Sequence, residues 1–343
     1  MDRILLTGAT GFIGSHVAEA LTAAGLRVTA LVRPQADLSH LVTLKPEIRY
    51  GDVRDRPSLC AAVCGCTGVI HAAALARDWG RSEEFQQTNV TGTLNVLEAC
   101  QRHGIQHVII TGSISSYGEE DSRQTKDETF PFHSHHPYFL DRVFPSGFNW
   151  YRDSKAMATR QALAFAQSHN LNVTLLEPVW VFGEREFGTG FYAYVKAVQR
   201  GQRYMPGSTR NVFHVIYARD LARAYLLACQ RKLPGVERII IGNPTAVPMH
   251  TIFRLFCQEA GLPPPRLLPK WSVYPVAFAL ELLHTLTRSK HPPLLTRGRV
   301  NMFYDSIRYS TEKAGRVLGF QCAHTLAQGI RETVAWYKNN HYL

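Results

Sequence analysis

The 343-residue chain has no uninterrupted apolar run of the roughly 20 residues that a membrane-spanning helix requires. Its most apolar stretch, Trp271 to Leu286, is short and carries Glu281 and His284. The amino terminus passes from Met1-Asp2-Arg3 straight into a strand-like segment, without a charged-then-apolar leader. Cysteines number seven, an odd count, so a disulfide framework is not expected and a cytoplasmic setting is. Cys60, Cys64 and Cys66 follow a C-x3-C-x-C spacing that matches neither a zinc knuckle nor a redox pair, and burial as small apolar residues is expected of them. Arginine-rich arms and zinc-finger spacings are missing too, so the net charge of +11 is not read as a nucleic-acid surface. An anionic ligand or an anionic membrane surface remains to explain it.

What is present is an alternation. Arg3 to Thr7, Arg27 to Val32, Val69 to His71 and His107 to Thr111 read as strands, with a third strand ending just before Gly51. Between them Phe12 to Ala24, Pro57 to Val63 and Glu83 to His103 read as helices. Strands alternating with helices predict an α/β fold, a Rossmann-type doubly wound parallel sheet whose ligands lie beyond the strands' carboxyl ends. After a polar and aromatic stretch from Gly118 to Asn149 come a helix from Trp150 to His169 and a strand from Asn172 to Leu176. The expected division is a dinucleotide-binding domain over 1–180, with a return strand and helix at about 212–241, and a smaller, mostly helical substrate lobe over 181–343.

Gly8, Gly11 and Gly14 in Thr7-Gly8-Ala9-Thr10-Gly11-Phe12-Ile13-Gly14 sit between the first strand and first helix. Glycines there allow a sharp turn, close approach of a pyrophosphate and tight packing of helix on sheet. Thr10, Phe12 and Ile13 complete the turn. The second strand ends without the acid that commonly reads the ribose of NAD. Val32 stands there and Arg33 follows, a guanidinium suited to a 2′-phosphate, so NADP is expected, with NAD the alternative. After the third strand, Asp52 is read either as a carboxylate for the adenine amino group, with Val53 on its face, or as a loop cap.

Tyr151 and Lys155, four positions apart on a predicted helix, share one face. A nearby ammonium lowers a phenol's pKa toward the working range, and Lys155 can also hold the nicotinamide ribose. Ser113, just past the strand ending in Thr111, supplies a hydroxyl to steady the substrate oxygen. With these residues the sequence resembles the extended short-chain dehydrogenase/reductase superfamily, NAD-dependent epimerase/dehydratase-like, over nearly its whole length. The resemblance rests on the glycine turn, Asp52-Val53, His71-Ala72-Ala73, Thr88-Asn89-Val90-Thr91-Gly92-Thr93, the Ser113 strand, Tyr151/Lys155, and Ile216 to Ala224 with Asp220. It implies a nicotinamide cofactor, a Ser-Tyr-Lys catalytic group, and Ala72, Ala73, Asn89 and Pro178 along the cofactor, Asn89 serving as an anchor. It also implies a homodimer. Leu-Val-Arg-Pro at 31–34 and Pro-Pro-Leu-Leu-Thr-Arg at 292–297 are most similar to 3β-hydroxysteroid dehydrogenase-like members.

The expected activity is therefore interconversion of a ketone and a secondary alcohol. Its main rival is a nucleotide-sugar epimerase or dehydratase that recycles its cofactor, and a further alternative is a noncatalytic cofactor sensor. In Glu177-Pro178-Val179-Trp180-Val181-Phe182-Gly183, Glu177 and Trp180 replace the arginine and asparagine of an R-P-x-N-V-Y-G-like stretch. That substitution weakens the sugar reading, although Arg203, Arg210 or Arg219 could supply charge instead. Phe130, Phe132, Tyr138, Phe139, Phe144, Phe148, Trp150, Trp180, Phe187, Phe191 and Tyr192 either wall a pocket for a steroid-, polyketide- or lipid-like substrate or close the lobe's own core. His133, His135 and His136 add no convincing metal ligand set, and no metal is expected. Residues 271–299, with Arg288, Lys290, Arg297 and Arg299, read as a pocket-covering helix or a peripheral membrane contact.

Overall fold

The computed structural model describes residues 2–118, 124–188, 190–289 and 291–343; Lys290 lies outside them. Seven parallel strands form the central sheet: β1 (Arg3–Thr7), β2 (Arg27–Val32), β3 (Glu47–Tyr50), β4 (Gly68–His71), β5 (His107–Thr111), β6 (Asn172–Pro178) and β7 (Val236–Ile241). Most are short runs of Val, Ile and Leu. Burial on both faces selects such near-continuous apolar strands. Their order is β7-β6-β5-β4-β1-β2-β3, so the winding reverses between β1 and β4. A reversal of this kind opens a crevice at the strands' carboxyl ends, and Thr7 pairs there with both Leu31 and His71.

The helices Phe12–Ala23 and Ala218–Arg231 pack on one face. Arg56–Val63, Gly92–Arg102 and Gly147–Ser168 cover the other. Three segments depart from expectation. The helix read across 83–103 is two α-helical pieces around a π segment, Gln86–Thr91, where Gly92 N–H bonds to Gln87 O. Periodicity cannot register one extra residue in a turn. The helix carrying Tyr151 starts at Gly147. The strand that returns to the sheet is β7, which follows the Ala218–Arg231 helix, whereas Val212–Phe213 and Val215–Tyr217 pair outside it.

The remainder is built from ladders of two or three residues, such as Tyr204–Pro206 with Arg266–Leu268, too short to leave a period in the sequence. Among its helices are Met249–Ala260, Lys270–Leu286, Arg297–Tyr304 and Leu326–Asn339. Glu281, the acid embedded in the apolar 271–286 run, is buried and pairs with buried Arg297 at 2.9 Å. Arg297 also donates to the carbonyls of Phe139 and Phe144. One guanidinium thus latches two helices to the loop that leads into the Tyr151 helix. Among the described residues no helix is long and apolar enough to cross a membrane.

Candidate active site

The glycine turn is a cradle that side chains would fill. Gly8 adopts φ +74°, and a Cβ there would lie 2.6 Å from Ala73 N; one on Gly14 would lie 2.0 Å from Gly8 O. The helix that follows starts at Gly11 with no side-chain cap and no acid in its first turn. Its leading amides, those of Phe12, Ile13 and Gly14, and the positive end of its dipole thus suit an anion. Thr10, half-buried, stands at the mouth of the turn. These features fit the pyrophosphate of a dinucleotide.

Beside the turn, a buried chain of hydrogen bonds ties the strand ends together. Thr7 Oγ1 bonds to His71 Nδ1 at 2.8 Å and accepts from Ala73 N, and His71 Nε2 bonds to Thr93 Oγ1 at 3.1 Å. Complete burial, aided by the charge of Lys155, lowers His71 to about 3, so it stays neutral and structural. Ala72 N bonds to Thr7 O, fixing the start of the loop after β4.

At the end of β2, Val32 is buried and Arg33 exposed. Asp52, past β3, has the geometry of a loop cap, accepting from Arg54 N, Nε and Nη2 at 2.8–3.0 Å. The Arg54 hydrogen bond holds its carboxyl below the usual range against partial burial, with Arg33 contributing charge. Val53 is buried against Gly92. Asn89, within the π segment, bonds the backbone of Leu75 in both directions and donates to Ser154 Oγ at 2.9 Å. It therefore joins the loop after β4 to the helix of Tyr151 and Lys155. Pro178 closes β6, opposite Ile241.

Ser113, Tyr151 and Lys155 meet at the end of β5. Ser113 Oγ caps the turn Ile114–Tyr117 by accepting from Ser115 N, and shares a 2.7 Å hydrogen bond with Ser115 Oγ. Tyr151 Oη lies 3.5 Å from Ser113 Oγ. Lys155 Nζ donates to Thr111 O at 2.6 Å. Burial lowers its pKa to about 8, opposed by the negative charge of Glu177. An ammonium held near its titration point can stabilise a phenolate one helical turn away.

Reading the sequence did not find the buried cluster next to this group. Glu177 is fully buried, accepts from Tyr117 Oη at 2.6 Å, and pairs with Arg238 on β7 at 3.3 Å. The guanidinium stacks between the rings of Tyr117 and Phe132, 4.9 and 4.4 Å from their centroids. A Cβ on Gly112 would lie 2.6 Å from Glu177 Cγ, so that glycine admits the carboxylate beside the Ser113 turn. Glu177 has no exposed surface. The available signal was three charges in otherwise apolar strands, Glu177 in β6 and Glu237 and Arg238 in β7.

The aromatic residues divide. Phe148 packs on Gly298, Tyr138 and Phe191 are buried, and Phe187 and Tyr192 meet Tyr337 of the Leu326–Asn339 helix at tilted angles. A cavity of about 110 Å³ lined by Tyr194, His250, Phe253, Arg254, Leu267 and Phe303 lies in the second-half lobe, away from the Ser113 group. Arg219 is paired with Glu184. Among the seven free cysteines, Cys66 is buried, its thiol pKa pushed up by burial, and Cys64 is exposed. Among the described residues no group of three or more His, Cys, Asp and Glu could hold a metal.

His135 bridges Asp153 on the Tyr151 helix (2.8 Å) and Asp141 in the preceding loop (2.9 Å). Partial burial works against the imidazolium, but the hydrogen bond and charge of Asp153, then those of Asp141, raise its pKa above 6.5. Its stabilising contribution is complete below about 6.5 and disappears as pH rises through the raised folded-state value. The half-exposed pair should contribute under about 1 kcal/mol. Melting temperatures followed across this window should fall more for the wild type than for His135→Gln; parallel curves would remove His135 from the linkage.

Residues 4–242 match the NAD dependent epimerase/dehydratase family. A protein named putative dihydroflavonol 4-reductase from Synechocystis sp. is 27% identical, aligned over 100% of this chain and 96% of its own. A 2-alkyl-3-oxoalkanoate reductase from Stenotrophomonas maltophilia is 28% identical over 97% and 98%. The crystal structure of Thermus thermophilus UDP-glucose 4-epimerase in complex with NAD superposes with TM-score 0.73, at 25% identity, covering 98% of this chain and 99% of that one.

Proposed function

Because the chain belongs to the NAD dependent epimerase/dehydratase family, within the extended short-chain dehydrogenase/reductase superfamily, we propose that it is an NADP(H)-dependent oxidoreductase interconverting a ketone and a secondary alcohol on a largely apolar substrate. The observation that carries the chemistry is the convergence of Ser113 Oγ, Tyr151 Oη and Lys155 Nζ at the end of β5. When bound in the glycine cradle, the dinucleotide supplies the hydride exchange. In reduction Ser113 donates a hydrogen bond to the carbonyl oxygen, Tyr151 Oη delivers the proton, and the Lys155 ammonium stabilises the phenolate left behind. Oxidation runs the proton the other way.

The commitment of Glu177 to Arg238 and of Arg219 to Glu184 supports an apolar substrate over a nucleotide diphosphate, since neither offers a cation to the latter. A cofactor-oxidation screen of steroid, polyketide and quinolone ketones beside nucleotide sugars tests the reading. Net NADPH loss with a ketone is expected. Turnover of a nucleotide sugar with no net change in cofactor would replace it with the epimerase reading, and NADPH binding without any turnover would point to a sensor.

Arg33 accounts for the preference for NADP(H). Arg33→Ala should weaken NADPH binding about tenfold, as loss of a charge-assisted phosphate contact does, while NADH affinity stays level. Fluorescence titration with both cofactors measures it; equal losses would place Arg33 outside the 2′-phosphate site.

A further inference from the structure

We propose that the Lys270–Leu286 helix and the 139–143 turn together form a docking face for a bilayer containing anionic lipid. The proposal deepens the apolar-substrate reading, on which its purpose rests.

The helix meets the protein through Val273, Ala277 and Glu281, which are buried. Its opposite side presents Trp271, Val276, Ala279, Leu283 and Leu286, spaced three to five residues apart on the sequence. No charge interrupts that exposed stripe. Trp271 is 79% exposed, Leu286 66%, and Leu294, just beyond the helix, 81%. A surface helix turned to water would carry polar residues on this side. Eight of the fourteen exposed large apolar side chains among the described residues fall in 139–143 and 271–294.

The two segments form one surface. The rings of Phe139 and Phe278 meet at 5.2 Å, edge to face. The latch from Arg297 to the Phe139 and Phe144 carbonyls holds the turn against the helix, and Phe139, Leu140 and Val143 stand exposed beside it. Large contiguous apolar surface mostly marks an interaction site.

Charge selects the occupant. From 266 to 300 Glu281 is the sole acid, and it is buried against Arg297. Arg266, Arg288 and, on the other segment, Arg142 stand exposed around the apolar stripe. A protein partner would have to bring a matching acidic rim in register with these cations; a border of one sign around an apolar helix side fits a diffuse anionic surface, into whose interface an amphipathic helix inserts its apolar side. The same turn leads into the helix that carries Tyr151, which sets the docking face on the segment next to the proposed proton donor.

Co-flotation of the full chain with phosphatidylcholine vesicles, with and without phosphatidylglycerol, tests the docking in the absence of substrate and cofactor. A failure there is therefore separate from a failure of the proposed chemistry. The wild type should float with the anionic vesicles and be released by high salt. The triple variant Trp271→Ser/Leu283→Ser/Leu286→Ser should lose binding about tenfold or more, and Arg142→Glu/Arg288→Glu should lose the dependence on phosphatidylglycerol. Unchanged circular dichroism would show both variants folded. A wild type that stays unbound on anionic vesicles, or a triple variant that binds as well as the wild type, overturns the proposal. So would a triple variant whose only change is from dimer to monomer in sedimentation, which would make the face a self-interface.

Discussion

Tyr151→Phe should lower kcat by about 10³-fold, the scale of a lost general acid–base, while changing cofactor affinity by less than about threefold. The split follows from where the phenol sits. Its Oη is directed to Ser113 Oγ at the end of β5, whereas the anion cradle lies across two strands at Gly8 and Gly14. Removing one oxygen leaves the ring, the helix and the Lys155 bond to Thr111 O in place. Steady-state turnover beside a fluorescence titration of NADPH reads the two quantities separately. A variant that keeps a tenth or more of wild-type turnover would assign the proton transfer to another group.

The second large effect is on stability. Arg238→Met should cost about 3–5 kcal/mol, because Glu177 would be left buried with a hydroxyl donor but without its cation. Burial already raises the Glu177 pKa against the pull of Arg238 and Tyr117, so the orphaned carboxyl would take up a proton. Glu177→Gln/Arg238→Met, which removes both charges, should be more stable than Arg238→Met alone, a non-additivity expected of contacting partners. Urea unfolding of the three proteins decides it. A single-variant loss under about 1 kcal/mol would mean that water reaches the carboxylate.

Much of this architecture was legible because it is local. β1, β2 and β5 are apolar runs between turns, and their ends are the ones the sequence predicts. Gly8, Gly11 and Gly14 announce themselves because few arrangements need three glycines between a strand and a helix. Tyr151 and Lys155 lie one turn apart on the same helix. What escaped was long-range. Glu177 and Arg238 are 61 positions apart and meet only because β6 and β7 pair in register. Thr7, His71 and Thr93 come together through the reversal of strand order. The environment of Asp52 depended on which side Arg54 would take, something no spacing states.

The π segment at Gln86–Thr91 has a consequence for chain length. An α-helix turns about 100° per residue, so the one additional residue in that turn sets the angle at which everything from Gly92 onward meets the sheet. Deleting Val90 or Thr91 would convert the turn to ordinary α-helix and rotate Asn89 relative to Thr93, Asn95 and Val96. Either the core contacts of Val96 and Leu97 or the bridge from Asn89 to Leu75 and Ser154 would then be lost. The stretch from 86 to 91 is thus constrained in number as well as in kind, and it should tolerate many substitutions more readily than a single gap.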